Sequence, residues 1–301
     1  MNPSHLSRRH FAQVATAASL AALASPLPAA ASAKRWPVIG FSKPFQSLGP
    51  EQTADTVAEI GWDGIECPVR AKGQVLPERV EEDLPKLVEA LRKRGKEVHI
   101  ITTDVKNVAQ PLTQKVLRTA ARLGIKRYRL SFWKYAKDKP IPAQLEEVRA
   151  ELRDLAALNK ELGLQAGFQN HSGADYVGAP IWDIWQLVRD LDPKLIGACF
   201  DIGHATLEGG YSWPIEARLM ESHLTAVFVK DFAWKKGDKG WKAEWCPLGE
   251  GMVNKSFFAW LKKSSFNGPI SQHHEYAHGE GKPMIAKMQQ DLRVLREWLA
   301  A

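Results

Sequence analysis

The amino-acid sequence predicts an α/β protein built as one (β/α)8 barrel. Eight short apolar runs alternate with eight longer amphipathic runs, which is typical of parallel strands joined by crossover helices. Eight strand–helix units is the number that closes into a barrel. The predicted barrel domain, 34–301, also has a usual length for one such barrel.

The strands and helices follow from the spacing of the apolar residues. Alternating or continuous apolar runs predict strands at 38–41, 64–68, 98–102, 127–132, 164–169, 195–200, 226–229 and 269–273. Apolar residues at helical spacing predict helices at about 51–60, 80–94, 111–123, 143–162, 180–191, 214–222, 255–264 and 283–299. Four glycines just past helical runs are predicted to cap them: Gly61, Gly95, Gly124 and Gly163.

A doubly wound open sheet is the alternative architecture. It would usually need fewer strand–helix units and a glycine-rich phosphate turn after the first strand, where this chain has Gly40-Phe41-Ser42-Lys43. The longest loop, at about 232–253, is rich in Trp, Lys and Gly and follows the seventh strand. Barrels place active sites on that face, so we expect this loop to act as a lid or a substrate wall.

The N-terminus predicts a cleavable signal peptide over 1–33. Arg8-Arg9 precedes an apolar, alanine-rich run, and Ala31-Ser32-Ala33 supplies a small-residue cleavage pattern. The arginine pair is typical of twin-arginine export, and we therefore expect a periplasmic or otherwise exported protein. The alternative is an uncleaved anchor, but the run is short and dominated by Ala and Ser, so no stable membrane anchor is expected.

Composition narrows the classes of partner. The net charge is +7, and the basic residues are spread over predicted helices, which favours solvated helix faces over nucleic-acid binding. The three cysteines, Cys67, Cys199 and Cys246, predict neither a disulfide framework nor a cysteine metal site. The first two lie in apolar strand runs and are expected to be buried thiols.

Polar residues concentrate where the predicted strands end, which is where barrels carry their chemistry. Side-chain alternation sorts each strand into two faces, and one face has small residues deep and polar residues near the end. We predict that this face points into the barrel: Gly167, Gln169, His171, Cys199, Asp201, Ala226, Phe228, Lys230, Ser271, His273 and Glu275. The other face, with Phe168, Phe200, Val227 and Ile270, is expected to pack on helices.

Several motifs carry a resemblance to a known superfamily. They are Gly64-Ile65-Glu66, Asn170-His171-Ser172-Gly173, Phe200-Asp201-Ile202-Gly203-His204-Ala205, Val229-Lys230-Asp231, Leu248-Gly249-Glu250-Gly251 and Pro269-Ile270-Ser271. With them the chain resembles the xylose isomerase-like barrels, which include sugar 3-epimerases, hydroxypyruvate isomerase and barrel-type abasic-site endonucleases. The resemblance implies one divalent metal held by an acid after strand five, an acid after strand six, a histidine in strand seven and an acid in strand eight.

The chain keeps one of those four positions. Asp201 matches, whereas Gln169, Phe228 and His273 stand where the other ligands are expected. Glutamine cannot act as a base, so the two-acid mechanism of the family's epimerases is not expected here. We still expect a divalent metal (Mn, Zn, Fe or Mg) held by Asp201, His273 and Glu275.

The expected function is a sugar isomerase/epimerase-like enzyme that removes a proton next to a carbonyl. The expected catalytic residues are His273, Lys230, Glu275 and His204, with the choice of base left open among the first three. The expected substrate contacts are Glu66, Gln169, His171 and Trp234. Two alternatives are a 3-keto-glycoside lyase or hydratase and a non-catalytic carbohydrate-binding barrel. The expected partner is a small carbohydrate, with a homodimer as an open possibility.

Overall fold

A computed structural model describes residues 36–301, and these form a closed eight-stranded parallel barrel. The barrel strands are β1 Val38–Phe41, β2 Gly64–Val69, β3 Glu97–Thr103, β4 Arg127–Arg129, β5 Gln165–Gln169, β6 Ile196–Asp201, β7 Leu224–Val229 and β10 Ile270–Gln272. Around the barrel they run in the order β1-β10-β7-β6-β5-β4-β3-β2. The predicted barrel architecture is thereby confirmed.

Nine α-helices lie among the described residues, and most of them cover the outside of the barrel. Their bounds are α1 Pro50–Ile60, α2 Val80–Arg92, α3 Thr113–Arg122, α4 Ile141–Leu162, α5 Ile181–Val188, α6 Ile202–Gly209, α7 Trp213–Met220, α8 Ser256–Lys263 and α9 Lys282–Ala300. Helix α4 buries Leu145, Val148 and Leu152, as its helical spacing predicts. The four predicted capping glycines all have positive φ, a conformation that costs other residues a clash at Cβ.

The two faces of the strands separate two apolar layers. Ile39, Ile100, Cys199, Ala226 and Phe228 form a small cluster inside the barrel. Phe168, Phe200, Val227 and Ile270 belong instead to the large cluster between barrel and helices. The predicted inward and outward faces are therefore confirmed, and Cys67 and Cys199 are buried free thiols as expected.

The structure differs from the sequence prediction near the C-terminal ends of the strands. Strand β4 stops at Arg129 and not at Phe132, and a short helix, α6, follows β6 directly. Asp201 starts that helix, since its side chain accepts a hydrogen bond from the His204 backbone amide at 3.0 Å. The predicted long loop contains an antiparallel hairpin, β8 Asp231–Gly237 and β9 Gly240–Cys246.

The N-terminal signal predicted over 1–33 lies outside the described residues and stays a prediction. Within 36–301, no helix combines the length and the apolar character that a membrane crossing needs.

Candidate active site

The C-terminal mouth of the barrel holds a connected set of polar side chains, all of them buried except Glu275. We call it the charge network: Arg129, Gln169, Asp201, Lys230, Glu275, His273 and Glu66. Each member except Arg129 was expected from the sequence as a site residue. Because parallel strands all end at one mouth of a barrel, residues up to 207 positions apart meet here.

Glu66 anchors one side of the charge network. It accepts hydrogen bonds from Ser271 Oγ at 2.8 Å and from Thr102 Oγ1, and it lies 2.8 Å from His273 Nε2. Burial alone would raise the pKa of Glu66, but His273 and the hydrogen bonds lower it to about 2. Glu66 and His273 therefore form a buried pair in which the carboxylate favours the protonated imidazole.

Lys230 occupies the centre of the charge network. Its Nζ lies 2.9 Å from Glu275 Oε1 and 3.3 Å from Asp201 Oδ2, and its side chain is 2% exposed. The ring of Trp245 covers the ammonium group at 4.4 Å, a cation–π contact. Glu275 is the member that meets solvent, with 26% of its side chain exposed. Burial would raise the pKa of Glu275, but its hydrogen bonds and the charges of His273 and Lys230 outweigh burial and lower it.

Arg129 and Gln169 complete the charge network. The guanidinium of Arg129 donates to Gln169 Oε1, and Gln169 Nε2 donates to Asp201 Oδ2 at 2.8 Å. Arg129 also lies over the rings of Phe41 and Phe132, at 5.7 and 5.1 Å. Both polar ends of Gln169 are thus satisfied inside the protein.

Two histidines beside the charge network form what we call the imidazole pair, His171 and His204. Their ring centroids are 4.1 Å apart, and Phe132 and Tyr176 flank His171 at 4.7 and 4.9 Å. Ser172 bonds to both rings. Its carbonyl lies 2.9 Å from His171 Nδ1, and its backbone amide donates to His204 Nδ1 at 3.1 Å.

These two bonds fix opposite tautomers. A carbonyl oxygen can only accept, so His171 Nδ1 carries the proton and, in the neutral ring, Nε2 has a free lone pair. A backbone N–H can only donate, so His204 Nδ1 is bare and its Nε2 carries the proton. His204 Nε2 is buried and has no hydrogen-bond partner among the described residues.

The histidines of the site differ in the direction in which the protein shifts their pKa. Burial, reinforced by the nearby charge of Lys230, lowers the pKa of His171, and burial lowers that of His204 well below the ordinary value. For His273, burial acts in the same direction, but the Glu66 carboxylate outweighs it and the pKa is raised. The imidazole pair is therefore neutral at neutral pH, and His273 is the ring that favours the charged form.

Residues 54–298 match the family model described as "Xylose isomerase-like TIM barrel". The chain belongs to this family. The resemblance drawn from its motifs is thereby confirmed. No functionally curated protein matches the sequence.

Solved structures of xylose isomerase-like barrels share the fold at low sequence identity. A D-tagatose 3-epimerase-like protein has a TM-score of 0.68 at 17% identity, covering 87% of this chain and 97% of that one. The apo 3-keto-D-glucoside 4-epimerase from E. coli has a TM-score of 0.67 at 13% identity, covering 86% and 98%. A magnesium complex of a family protein from Mycobacterium smegmatis has a TM-score of 0.64 at 16% identity, covering 88% and 98%.

The residues at the expected metal positions do not fit a metal as they are arranged here. Gln169 gives its oxygen to Arg129, Phe228 is apolar, and His273 Nε2 is bonded to Glu66. The remaining position, Asp201, bonds to Gln169, Lys230 and the His204 amide. Within residues 36–301, no three His, Cys, Asp or Glu side chains are grouped so that they could hold a metal ion.

Of the other expected substrate contacts, Trp234 lies on the hairpin. It is on β8, 46% exposed, and its ring meets Phe232 at 5.9 Å. Trp245 on β9 is the hairpin residue that reaches Lys230. Sequence reasoning also missed Arg129 and the role of Ser172. The signal available for the former was the pair of arginines, Arg127 and Arg129, at alternate positions of one short strand.

Asp231, next to Lys230, has a structural role and binds the loop that follows the hairpin. Its carboxylate accepts from the backbone amides of Gly249, Gly251 and Val253 at 3.0, 3.1 and 2.9 Å. The loop after the hairpin is therefore tied to the end of β7, which keeps β9 and Trp245 above Lys230.

Proposed function

We propose that this protein is an enzyme that acts on a sugar or keto-sugar by removing a proton from the carbon next to a carbonyl. One observation carries the proposal: the free lone pair of His171 Nε2 lies beside a buried network that contains Lys230. A base next to a buried cation is what enolate formation requires. The family membership supports the same class of chemistry.

In the proposed step, His171 Nε2 takes the proton as the C–H bond breaks. The electron pair forms a carbon–carbon double bond, and the carbonyl oxygen becomes an enolate oxygen. The Lys230 ammonium stabilises that negative charge, more strongly than it could in water because the site is buried. His204 Nε2–H, a neutral donor without a hydrogen-bond partner among the described residues and 3.8 Å from Asp201 Oδ2, holds a substrate hydroxyl or carbonyl oxygen.

Three other groups are weaker candidates for the base. His273 is paired with Glu66 through Nε2 and favours the protonated form. The depressed pKa of Glu275 makes its carboxylate a poor proton acceptor. Lys230 Nζ is already bound by two carboxylates, at 2.9 Å from Glu275 and 3.3 Å from Asp201. His171 is the residue whose free nitrogen is available in the neutral state.

The fate of the enolate decides the reaction class. Return of the proton at the same or a neighbouring carbon gives epimerisation or isomerisation. Loss of an oxygen substituent from the next carbon gives a lyase acting on a keto-glycoside, our second candidate. Gln169 favours this second candidate, because glutamine at the expected acid position removes the second base that two-faced epimerisation would use.

Deuterium exchange tests the first step that both candidate reactions share, whatever the final product. The protein is incubated in heavy water with a panel of ketoses and 3-keto-glycosides, and proton NMR follows the carbon positions next to each carbonyl. We expect catalysed deuterium uptake, or product release, with at least one panel member. A protein that binds a panel member and catalyses neither would be a carbohydrate-binding barrel, and the proposal would be wrong.

Two variants separate the base from general effects. His171→Gln keeps a polar side chain but removes the lone pair, and we expect a loss of about 10²–10⁴-fold in exchange rate. The matched control is His278→Gln, because His278 makes the same bond to its neighbour's carbonyl but is exposed outside the site. Equal rates in the two variants would contradict the role of His171.

A further inference from the structure

We infer that the ammonium group of Lys230 replaces the divalent metal of related barrels, so that this site is complete without a metal ion. The statement that this charge serves an enolate rests on the proposed function. The statement that no metal is needed rests on the contacts of the charge network alone.

The first argument is the position of the ammonium. Lys230 Nζ contacts Asp201, the one metal ligand that the chain retains, at 3.3 Å, and contacts Glu275 at 2.9 Å. Two of the three carboxylates of the network are thus bound by one built-in cation. Trp245 adds a cation–π contact to the same ammonium group at 4.4 Å.

The second argument is that the other ligand positions are closed by bonds within the protein. Arg129 takes the oxygen of Gln169, and Glu66 takes His273 Nε2. Phe228 packs its ring 4.5 Å from the His273 ring, where an apolar side chain offers no ligand atom. A metal would have to break these contacts before it gained ligands.

The third argument is the charge around the retained ligand position. The carboxylates nearest that position already have a cation, because Lys230 bridges Asp201 and Glu275. A divalent ion bound to the same two carboxylates would bring three positive charges against two negative ones. That excess is strongly unfavourable where Asp201 and Lys230 are buried.

Metal content and thermal unfolding of the full-length purified protein test the inference. We expect no stoichiometric Mg, Mn, Fe, Co or Zn, no change in Tm with EDTA, and no rise in Tm when any of these ions is added singly. A metal present at one hundred times its Kd would raise Tm by roughly 5–10 °C in a domain of this size. One equivalent of a metal whose removal lowers Tm would overturn the inference.

A charge deletion tests Lys230 itself. Lys230→Ala leaves Asp201 and Glu275 without their cation, so we expect this variant to gain a rise in Tm with a divalent ion. Lys235→Ala is the control, because Lys235 pairs with Glu244 on the exposed hairpin and its loss opens no buried site. If the Lys230→Ala variant folds but its Tm does not rise with a divalent ion, Lys230 does not replace the metal. If that variant does not fold, the measurements on the unmodified protein decide.

The inference and the proposed function fail in different measurements. Exchange that continues unchanged in EDTA supports the inference, and exchange that requires an added metal overturns it while leaving the function intact. Absence of exchange with every sugar defeats the proposed function, but the metal content and Tm series still decide whether the site is complete without a metal.

Discussion

The charge network and the imidazole pair lie side by side at the barrel mouth, yet they differ in how far their polar atoms are satisfied. In the network, Glu66, Gln169 and Lys230 bond to other members from buried positions. In the imidazole pair, His204 Nε2 has no hydrogen-bond partner within the described chain, since Asp201 Oδ2 lies 3.8 Å away, and the neutral His171 ring keeps a lone pair on Nε2. Most charged atoms of the network are paired inside it, with Arg129 Nε as an exception, whereas the imidazole pair offers a donor and an acceptor to a ligand.

The difference indicates a division of labour. Buried ionic groups that satisfy one another hold their geometry but have little capacity left for a ligand. An unsatisfied buried nitrogen costs stability, and such groups are retained mainly where function needs them. Substrate recognition and proton transfer are therefore expected at the imidazole pair, with the network supplying a fixed field.

The largest expected effect on stability comes from a substitution that breaks the Glu66–His273 pair of the charge network. Glu66→Gln should destabilise the protein by about 3–5 kcal/mol, because it leaves His273 buried without its counter-ion. Urea unfolding at neutral pH measures this loss. The loss should shrink as pH rises, since a neutral imidazole needs no partner.

Glu51→Gln is the control for that substitution. Glu51 also pairs with a basic side chain, Arg94, but is 60% exposed, and exposed pairs contribute about 0–1 kcal/mol. Equal losses in the two variants would show that the Glu66 pair is not the buried anchor described above.

The pH profile of the exchange rate sharpens the contrast between the two groups of histidines. Since burial lowers the pKa of His171 below its ordinary 6.5, the base stays neutral at that pH and the rate should fall only at more acid pH. Below that point, the rate should drop about tenfold per pH unit. If His273 were the base, its raised pKa would place the fall above 6.5. Initial rates across the acid and neutral range distinguish the two.

The smallest expected effect concerns the hairpin. Trp245→Leu removes the aromatic face over Lys230 and should reduce the exchange rate by an amount equivalent to about 0.5–2 kcal/mol. Trp234→Leu, on the facing strand, should have little effect because that side chain is 46% exposed and its ring contacts Phe232. A larger loss of exchange rate in Trp234→Leu than in Trp245→Leu would support Trp234 as the substrate contact that the sequence predicts.

The sequence predicted the barrel well because two periodicities dominate it. The alternation along β5, β6 and β7 is set by the pleat of a strand, and it correctly assigned Phe228 inward and Phe200 outward. The ends of the strands were harder. Helix α6 is short, and Asp201 caps its N-terminus. The sequence predicted Asp201 only as a site residue and not as a helix cap.

The site could be located from sequence, but its pairings could not. Residue type and strand position brought Glu66, Lys230 and His273 to one mouth, yet nothing in a linear pattern says which carboxylate meets which cation. The hairpin shows the same limit. Trp234 pairs with Ala243 and Trp245 with Phe232, and this register, set in space, decides which indole reaches Lys230.

The bond between Glu66 and His273 spans 207 residues and joins the ends of β2 and β10, the two strands on either side of β1. It cannot form until the last strand closes the ring, which makes it one of the highest-order contacts in the chain. A nascent or truncated chain that stops before β10 has the Glu66 carboxylate without its partner and has to keep it hydrated. The Glu66–His273 pair at the barrel mouth therefore forms only after β10 has been synthesised and has joined the sheet, so the contact that shapes the site also marks the closure of the barrel.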